Sequence, residues 1–187
     1  MPLWSKTPKS RHAIDTGGHS NIHHEEGEMK TADLMDDFQE ELQSCEIQFR
    51  DYGGRKAFWG PCKTLKCAND NVLLKRVLQE KGGGAVLIVD GGGSLSSALM
   101  GDLIAEIGRK NNWAGIVING AVRDTLALAK IDFGVKALGS NPRKSRKNGA
   151  GQLNVEISFG TITVKPGDWV YCDEDGIVVA GRELPLA

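Results

Sequence analysis

Arg123 and Asp124 are adjacent, and they follow an apolar run (residues 115–118) and the turn-like stretch Asn119-Gly120-Ala121-Val122. An arginine fork grips a carboxylate or an enolate oxygen through paired hydrogen bonds. An aspartate holds a hard divalent ion, and magnesium takes only one or two protein carboxylates while keeping water in its other positions. Side by side, the two residues suit a 2-oxo acid whose oxygens complete the shell of the ion. The same pair also reads as a salt bridge at a helix start, with Asp124 capping a helix over 125–130. A second candidate is Gly101-Asp102-Leu103-Ile104, where a helix over 102–111 begins. Free N–H groups and the positive dipole end favour an anion there, and a substrate carboxylate is a suitable guest. Asp102 equally reads as a plain N-terminal cap.

Two further segments carry less specific chemistry. The run Asp90-Gly91-Gly92-Gly93-Ser94 follows a strand-like stretch, yet it fits neither glycine-rich nucleotide pattern. It reads as a packed turn bordering a pocket. Arg143, Lys144, Arg146 and Lys147 form a basic loop that is either solvated or turned to RNA or an acidic protein.

Composition narrows the chemistry. The chain has 187 residues, 40% hydrophobic and 25% charged, with a formal net charge of -1. That balance argues against a nucleic-acid-binding field. All four histidines (His12, His19, His23, His24) lie within the first 24 residues. The remainder therefore has no histidine for a Ser-His-Asp triad, a general base or a zinc site. Cys45, Cys62, Cys67 and Cys172 form no C-x-x-C pair and read as reduced, buried small hydrophobes. A lysine Schiff base at Lys75, Lys130 or Lys136 stays open on chemistry alone. No apolar stretch approaches the roughly 20 residues a membrane span needs. With no secretory pattern, a cytoplasmic location is expected.

The elements that must position these residues follow from periodicity. Residues 1–30 are polar and aperiodic and read as a tail; a single domain is expected over 31–187. Thr31 or Asp33 can cap a helix through Leu34, Phe38, Leu42 and Cys45. Residues 51–60 read as loop, 62–67 as a short strand and 71–80 as a helix. Residues 85–89 and 115–118 are continuous apolar runs, the pattern of strands buried on both faces. Helices are expected over 102–111 and 125–130, a strand over 135–138 and a loop over 141–151. Hairpin strands are expected at 154–158 and 161–165, and final strands at 169–172 and 177–180. This order gives an α/β layered fold closed by C-terminal β-hairpins.

Three stretches together resemble a known family. They are Gly91-Gly92-Gly93-Ser94, Ala98-Leu99-x-Gly101-Asp102 and Gly115-x-Val117-Ile118-x-Gly120-Ala121-Val122-Arg123-Asp124. The family is that of regulator of ribonuclease activity A and the 4-hydroxy-4-methyl-2-oxoglutarate / 4-carboxy-4-hydroxy-2-oxoadipate aldolases. Twenty residues separate Asp102 from Arg123-Asp124, as in the aldolase pattern D-x20-R-D. The ending from Pro166-Gly167-Asp168 through Asp173-x-Asp175-Gly176 is similar too, so the likeness spans residues 31–180.

The resemblance implies a swivelling β/β/α fold, a homotrimer or a hexamer of two trimers, and sites near subunit boundaries. It implies that Gly101, Asp102, Leu103 and Ile104 hold the substrate, that Arg123 contacts it, and that Asp124 binds Mg2+ or Mn2+ with Asp102 reaching the ion through water. The implied activity is retro-aldol cleavage of 4-hydroxy-4-methyl-2-oxoglutarate-type acids to pyruvate. Oxaloacetate decarboxylation would share the pyruvate enolate, with Arg123, Asp102 and Asp124 catalytic and a water near Asp102 taking the C4 hydroxyl proton. The alternative is a trimeric regulator that inhibits a ribonuclease of the E type, or binds its helicase partners. Regulator-type members often lack the acidic residue after the arginine, so Asp124 favours the lyase. A methyltransferase label also occurs in the family, but the sequence has no G-x-G-x-G loop within a Rossmann unit. The long N-terminal segment and the basic loop depart from the family.

Overall fold

The computed structural model describes residues 29–186. The tail reading and its four histidines lie outside the described residues, except that Met29 and Lys30 are seen. Met29 is buried beside Leu34, Tyr171 and Leu184, so the packed chain reaches back at least to residue 29.

Four strands run parallel at the centre: β3 (Phe58–Lys66), β4 (Val86–Met100), β5 (Gly115–Val122) and β6 (Gly134–Ser140). Helices α2 (Val72–Gln79), α3 (Asp102–Lys110) and α4 (Thr125–Leu128) make the crossovers between them. Because sequential strands are spatial neighbours, crossovers of the usual right hand put all three helices on one face. Leu74, Val77, Leu78, Ala105 and Leu128 accordingly pack with Leu87, Val89, Ile116 and Ile118.

The opposite face carries Val86, Ile88 and Val117, which pack against the hairpin of β8 (Ile157–Phe159) and β9 (Ile162–Val164). Both faces being covered, every residue of β5 is buried, which is why its sequence reads as an unbroken apolar run. Antiparallel strands extend the sheet. They are β10 (Trp169–Cys172), β11 (Ile177–Ala180) and β1 (Leu42–Ser44) beyond β3, and β2 (Arg50–Asp51) beyond β6. The pair β7 (Gln152–Leu153) adds to β3. The α/β layering and C-terminal hairpins agree with the sequence reading.

Several expected boundaries need correction. The first helix, α1 (Thr31–Phe38), stops before Leu42, and a 3-10 turn over Gln39–Glu41 leads into β1. The Leu42 and Cys45 side chains that looked helical in spacing belong to an edge strand and to the loop after it. Neither Thr31 nor Asp33 caps the helix by its own side chain. Asp173, distant in sequence, takes Thr31 N–H at 2.6 Å and Thr31 Oγ1 at 2.7 Å.

β3 begins at Phe58, inside the expected loop. The run Asp90–Ser94 is no turn: it lies within β4, which continues to Met100 with register shifts against β5 after Asp90, Ser94 and Ala98. Such bulges re-aim a strand end. Asp90 secures this one by accepting from Gly92 N–H and Asn119 Nδ2 at 2.9 and 3.0 Å. Among the described residues, no helix is long and apolar enough to cross a membrane. All four cysteines are free and buried, as expected.

Candidate functional site

The parallel strands β4 and β5 end side by side, and the polypeptide leaves them at Gly101 and Arg123. Arg123 N–H donates to Met100 O at 2.9 Å, which locks the two exits together. Gly101 is buried and extended, and its lack of a side chain is required here. A Cβ at 101 would collide with Asp124 Oδ2 and lie 3.2 Å from Arg123 Cγ. Around these exits is a cavity of about 270 Å³. Gly101, Asp102, Leu103, Ile104, Arg123 and Asp124 all line it, so the structure brings the substrate- and metal-site candidates named from the sequence to one place.

Asp124 decides between the two readings of the Arg-Asp pair. It stands at the N-cap position of α4, yet its side chain makes no capping hydrogen bond. Its backbone is left-handed (φ 56, ψ 39), a conformation that costs an ordinary L-residue roughly 1–2 kcal/mol and that Asp and Asn tolerate best. The carboxylate instead faces Arg123, with Oδ2 at 3.3 Å from Nε, and both side chains stay partly open to solvent. The helix-cap reading therefore fails; the salt bridge is present but loose. The helix uses only the Asp124 carbonyl, which accepts from Ala127 N–H at 2.9 Å and Leu128 N–H at 3.0 Å, and leaves its carboxylate to the cavity.

Asp102 is the first residue of α3, with Gly101 at the cap. Its Oδ1 accepts Leu103 N–H at 2.7 Å. The N–H groups of Ile104 and Ala105 go back to Gly101 O at 3.2 and 3.1 Å. The first turn of the helix is thus largely satisfied from within, and Asp102 carries part of the capping work expected of it. The two carboxylates of Asp102 and Asp124 share one cavity. Among the described residues, no group of three or more His, Cys, Asp or Glu side chains is arranged to hold a metal. Such a donor set fits magnesium, which binds through one or two carboxylates and water, and does not fit zinc.

The rest of the lining was not legible in the sequence. Lys75 of α2 lines the cavity, as do Lys144, Ser145 and Lys147 from the basic loop. That loop is pinned on both sides. Ala98 N–H donates to Arg143 O at 2.8 Å, and Arg146 N–H donates to Asn69 O at 2.7 Å. Buried Asp70 accepts from the N–H groups of Asn148 and Gly149 and from Val72 N–H. Burial would raise the Asp70 carboxyl, but donors from Val72, Asn148, Gly149 and Ala150 outweigh it and hold the group below its ordinary value. Of the three lysines considered for a Schiff base, only Lys75 reaches the cavity. Lys136 is buried with its Nζ 2.9 Å from Asp51 Oδ1, and Lys130 is exposed beyond α4.

Comparison with known proteins agrees with this geometry. A structure from Geobacillus kaustophilus HTA426, described as an S-adenosylmethionine:2-dimethylmenaquinone methyltransferase, is 45% identical. The match covers 83% of this chain and 97% of that one, with a TM-score of 0.82. The RNA-processing inhibitor RraA from Thermus thermophilis is 40% identical over 84% of this chain and 96% of its own, also with a TM-score of 0.82. Streptomyces coelicolor RraAS2, an unusual member of the RNase ES inhibitor RraA family, is 24% identical over 81% and 80%, with a TM-score of 0.67, and shares the fold. The family model described as RraA-like, Aldolase/RraA, matches residues 31–179, and the chain belongs to that family.

Proposed function

We propose that the protein is a divalent-metal-dependent carbon–carbon lyase that cleaves 4-hydroxy-4-methyl-2-oxoglutarate-type acids to pyruvate and decarboxylates oxaloacetate. The observation that carries this reading is Asp124. Its carboxylate is left free by its own helix, held in a strained backbone, and set beside Arg123 in the cavity that Asp102 shares. At about 270 Å³ the cavity is small, below the roughly 300–1,000 Å³ of drug-sized ligand pockets, which suits a short acid.

A Mg2+ or Mn2+ at Asp124, with Asp102 reaching it through water, would supply Lewis-acid stabilisation of charge developing on the 2-oxo oxygen. The residues of the chain do the rest. Arg123 holds the C1 carboxylate and 2-oxo oxygens through its fork. Gly101, Leu103 and Ile104 shape the wall against which the acid lies. As the C3–C4 bond breaks, its electron pair passes to C3 and the 2-oxo group, giving the pyruvate enolate. The C4 hydroxyl loses its proton as C4 becomes a carbonyl, and in this reading a water near Asp102 takes that proton. Protonation at C3 completes pyruvate. In oxaloacetate the same bond releases carbon dioxide and leaves the same enolate.

The assembly consistent with this reading is a homotrimer or a pair of trimers in the cytoplasm. Leu103 at the cavity and Leu126 on α4 are 75% and 85% exposed, apolar surface that supports a neighbouring subunit. The second reading, a regulator that binds a ribonuclease of the E type or its helicase partners, is supported by the 40% identity to an RNA-processing inhibitor. Methyl transfer has less support. The glycines at 91–93 lie inside β4, not at a strand-to-helix turn where a nucleotide-binding glycine loop cradles its ligand.

The deciding experiment is pyruvate release from oxaloacetate and from 4-hydroxy-4-methyl-2-oxoglutarate, with Mg2+ and with EDTA. It is run beside a pull-down of a ribonuclease of the E type. EDTA-sensitive pyruvate release establishes the lyase. Its absence, together with ribonuclease capture, establishes the regulator.

A further inference from the structure

The parallel strands have a second cavity at their other end. It lies where β4 and β5 begin, roughly 20–25 Å from the strand exits at the usual rise of about 3.3 Å per residue along β5. Its volume is about 620 Å³, within the roughly 300–1,000 Å³ of small-ligand pockets. Trp59, Trp113 and Trp169 all line it, and they are every tryptophan among the described residues. An indole has a large apolar face and prefers to cover it with another plane. Trp59 is nevertheless 37% exposed.

The fold holds these rings in place, which lowers the ordering cost of binding. Trp59 on β3 and Trp169 on β10 project from one sheet face, because Trp169 stands opposite Pro61 and Pro61 follows Trp59 by two residues. Tyr171 stacks on Trp169, with ring centroids 6.2 Å apart. Trp113 is fixed by its Nε1, which donates to Glu80 O at 2.9 Å, and by Lys63 Nζ 5.3 Å from its ring centroid. Gly83 and Gly84 add lining with left-handed backbone (φ 61 and 83) and no side chain to fill the space.

The polar atoms of the lining narrow the ligand. Arg55 is committed: its Nε and Nη2 grip Asp132 at 3.0 and 2.9 Å, and its Nη1 donates to Ala114 O. Among the described residues lining the cavity, no cation is left over for a phosphate. The Trp59 and Trp169 N–H groups and the Asn112 amide enter no hydrogen bond among the described residues, unlike the Trp113 N–H. The free side-chain groups are thus two indole donors and one amide that both donates and accepts. A sugar brings many hydroxyl donors and finds only Asn112 Oδ1 to accept them. A purine fits better. Its faces stack on indole, its ring nitrogens accept, and asparagine pairs with an adenine edge through two hydrogen bonds.

We propose that this cavity binds a neutral purine, as the free base or its nucleoside, stacked on Trp59 and Trp169 and read by Asn112. The site is independent of the lyase reading, since no residue of the Arg123–Asp124 cavity takes part in it.

The test is titration with adenosine, followed by tryptophan fluorescence and by calorimetry. The wild-type protein should show saturable quenching and a matching heat. Trp59→Ala and Trp169→Ala should each weaken binding about 10-fold, the scale of one lost base–aromatic stack. Asn112→Gly suits the left-handed backbone at 112 (φ 59) and removes the amide. It should bind adenosine about 5-fold or more weakly, while benzimidazole, a fused ring without the adenine amino edge, binds as it does to wild type. That comparison is a ratio on one folded population, so partial misfolding cancels. Ribose should not compete, and hexaadenylate should bind no more tightly than adenosine. Absence of saturable adenosine binding, wild-type affinity in all three variants, or competition by ribose would overturn the site. Tighter binding of hexaadenylate would overturn it too, by making the tryptophans a surface for an RNA strand.

Discussion

Asp124→Gly separates the chemistry of this residue from its structural role more sharply than alanine would. The backbone at 124 is left-handed, with φ 56 and ψ 39. Glycine occupies that region without the steric cost that an L-residue bears. Relief of this strain contributes up to about 1 kcal/mol of stability, because Asp is among the residues least penalised there. Against it stands the Arg123 pair at 3.3 Å, whose side chains are 30% and 39% exposed. An ion pair so open to solvent is worth about 0–1 kcal/mol. No capping hydrogen bond is lost.

The two contributions nearly cancel, so the melting temperature should move by no more than about 4 °C in either direction, at the usual 2–4 °C per kcal/mol for a domain of this size. Activity should respond very differently. Under the proposed function, removing the Asp124 carboxylate removes several kcal/mol of charge stabilisation, and a loss of at least about 10³ in kcat/KM is expected from roughly 4 kcal/mol. Scanning calorimetry and coupled pyruvate release from oxaloacetate, on the same preparation, read both. A variant that melts more than 10 °C lower, or that keeps pyruvate release within threefold of wild type, refutes the reasoning. The first result would make Asp124 structural; the second would place the ion elsewhere.

Other perturbations probe the same architecture. Gly101→Ala suits the extended backbone at 101, yet its Cβ would displace Asp124 Oδ2 and crowd Arg123. Pyruvate release should fall about 100-fold, as misplacement of a reacting group by an ångström does, with melting little changed; an unchanged rate would mean that the pair tolerates the shift. Arg123→Ala should lose about 3 kcal/mol or more of transition-state stabilisation, read as kcat/KM. A loss of thermal stability alone would return the pair to a salt bridge. Asp70→Ala strands the buried N–H groups of the loop clamp and should cost about 3 kcal/mol, read as the urea midpoint at constant slope. Because the folded Asp70 carboxyl is held below its ordinary value, its contribution is complete above about pH 4 and is lost as the pH falls through the lower folded value. The variant should therefore show a flatter acid limb of stability than wild type. Burial pushes the Cys62 and Cys67 thiols up to about 12 and raises Cys45 and Cys172 as well. A thiol reagent at pH 8 should find none of these four in the native protein and all four in denaturant; rapid native labelling would show an opening that this packing does not contain.

What the sequence disclosed depended on how a residue's environment reaches its neighbours along the chain. The apolar runs at 85–89 and 115–118 were readable because both sheet faces are covered and burial is written into consecutive residues. The glycines at 91–93 concealed the continuation of β4, since a bulged strand has no period to detect. The short edge strands β1, β2 and β7 were invisible for a related reason. Two or three residues carry no pattern, and only their partners β11, β6 and β3 define them.

The candidate site divides along the same line. Arg123 and Asp124 follow a strand legible in the sequence, whereas Gly101 and Asp102 were legible only as the start of the 102–111 helix, because the end of β4 at Met100 was hidden. Ser145 and the lysines sit in a loop whose position is set by Asp70, more than seventy residues away, through backbone N–H groups that any side chains could have supplied. Nothing local marks a serine as buried or a lysine as facing a cavity when the cause is a distant carboxylate. The strand-exit part of the cavity lining is thus encoded where strands end, and the part from residues 144–147 in how a loop is tied down.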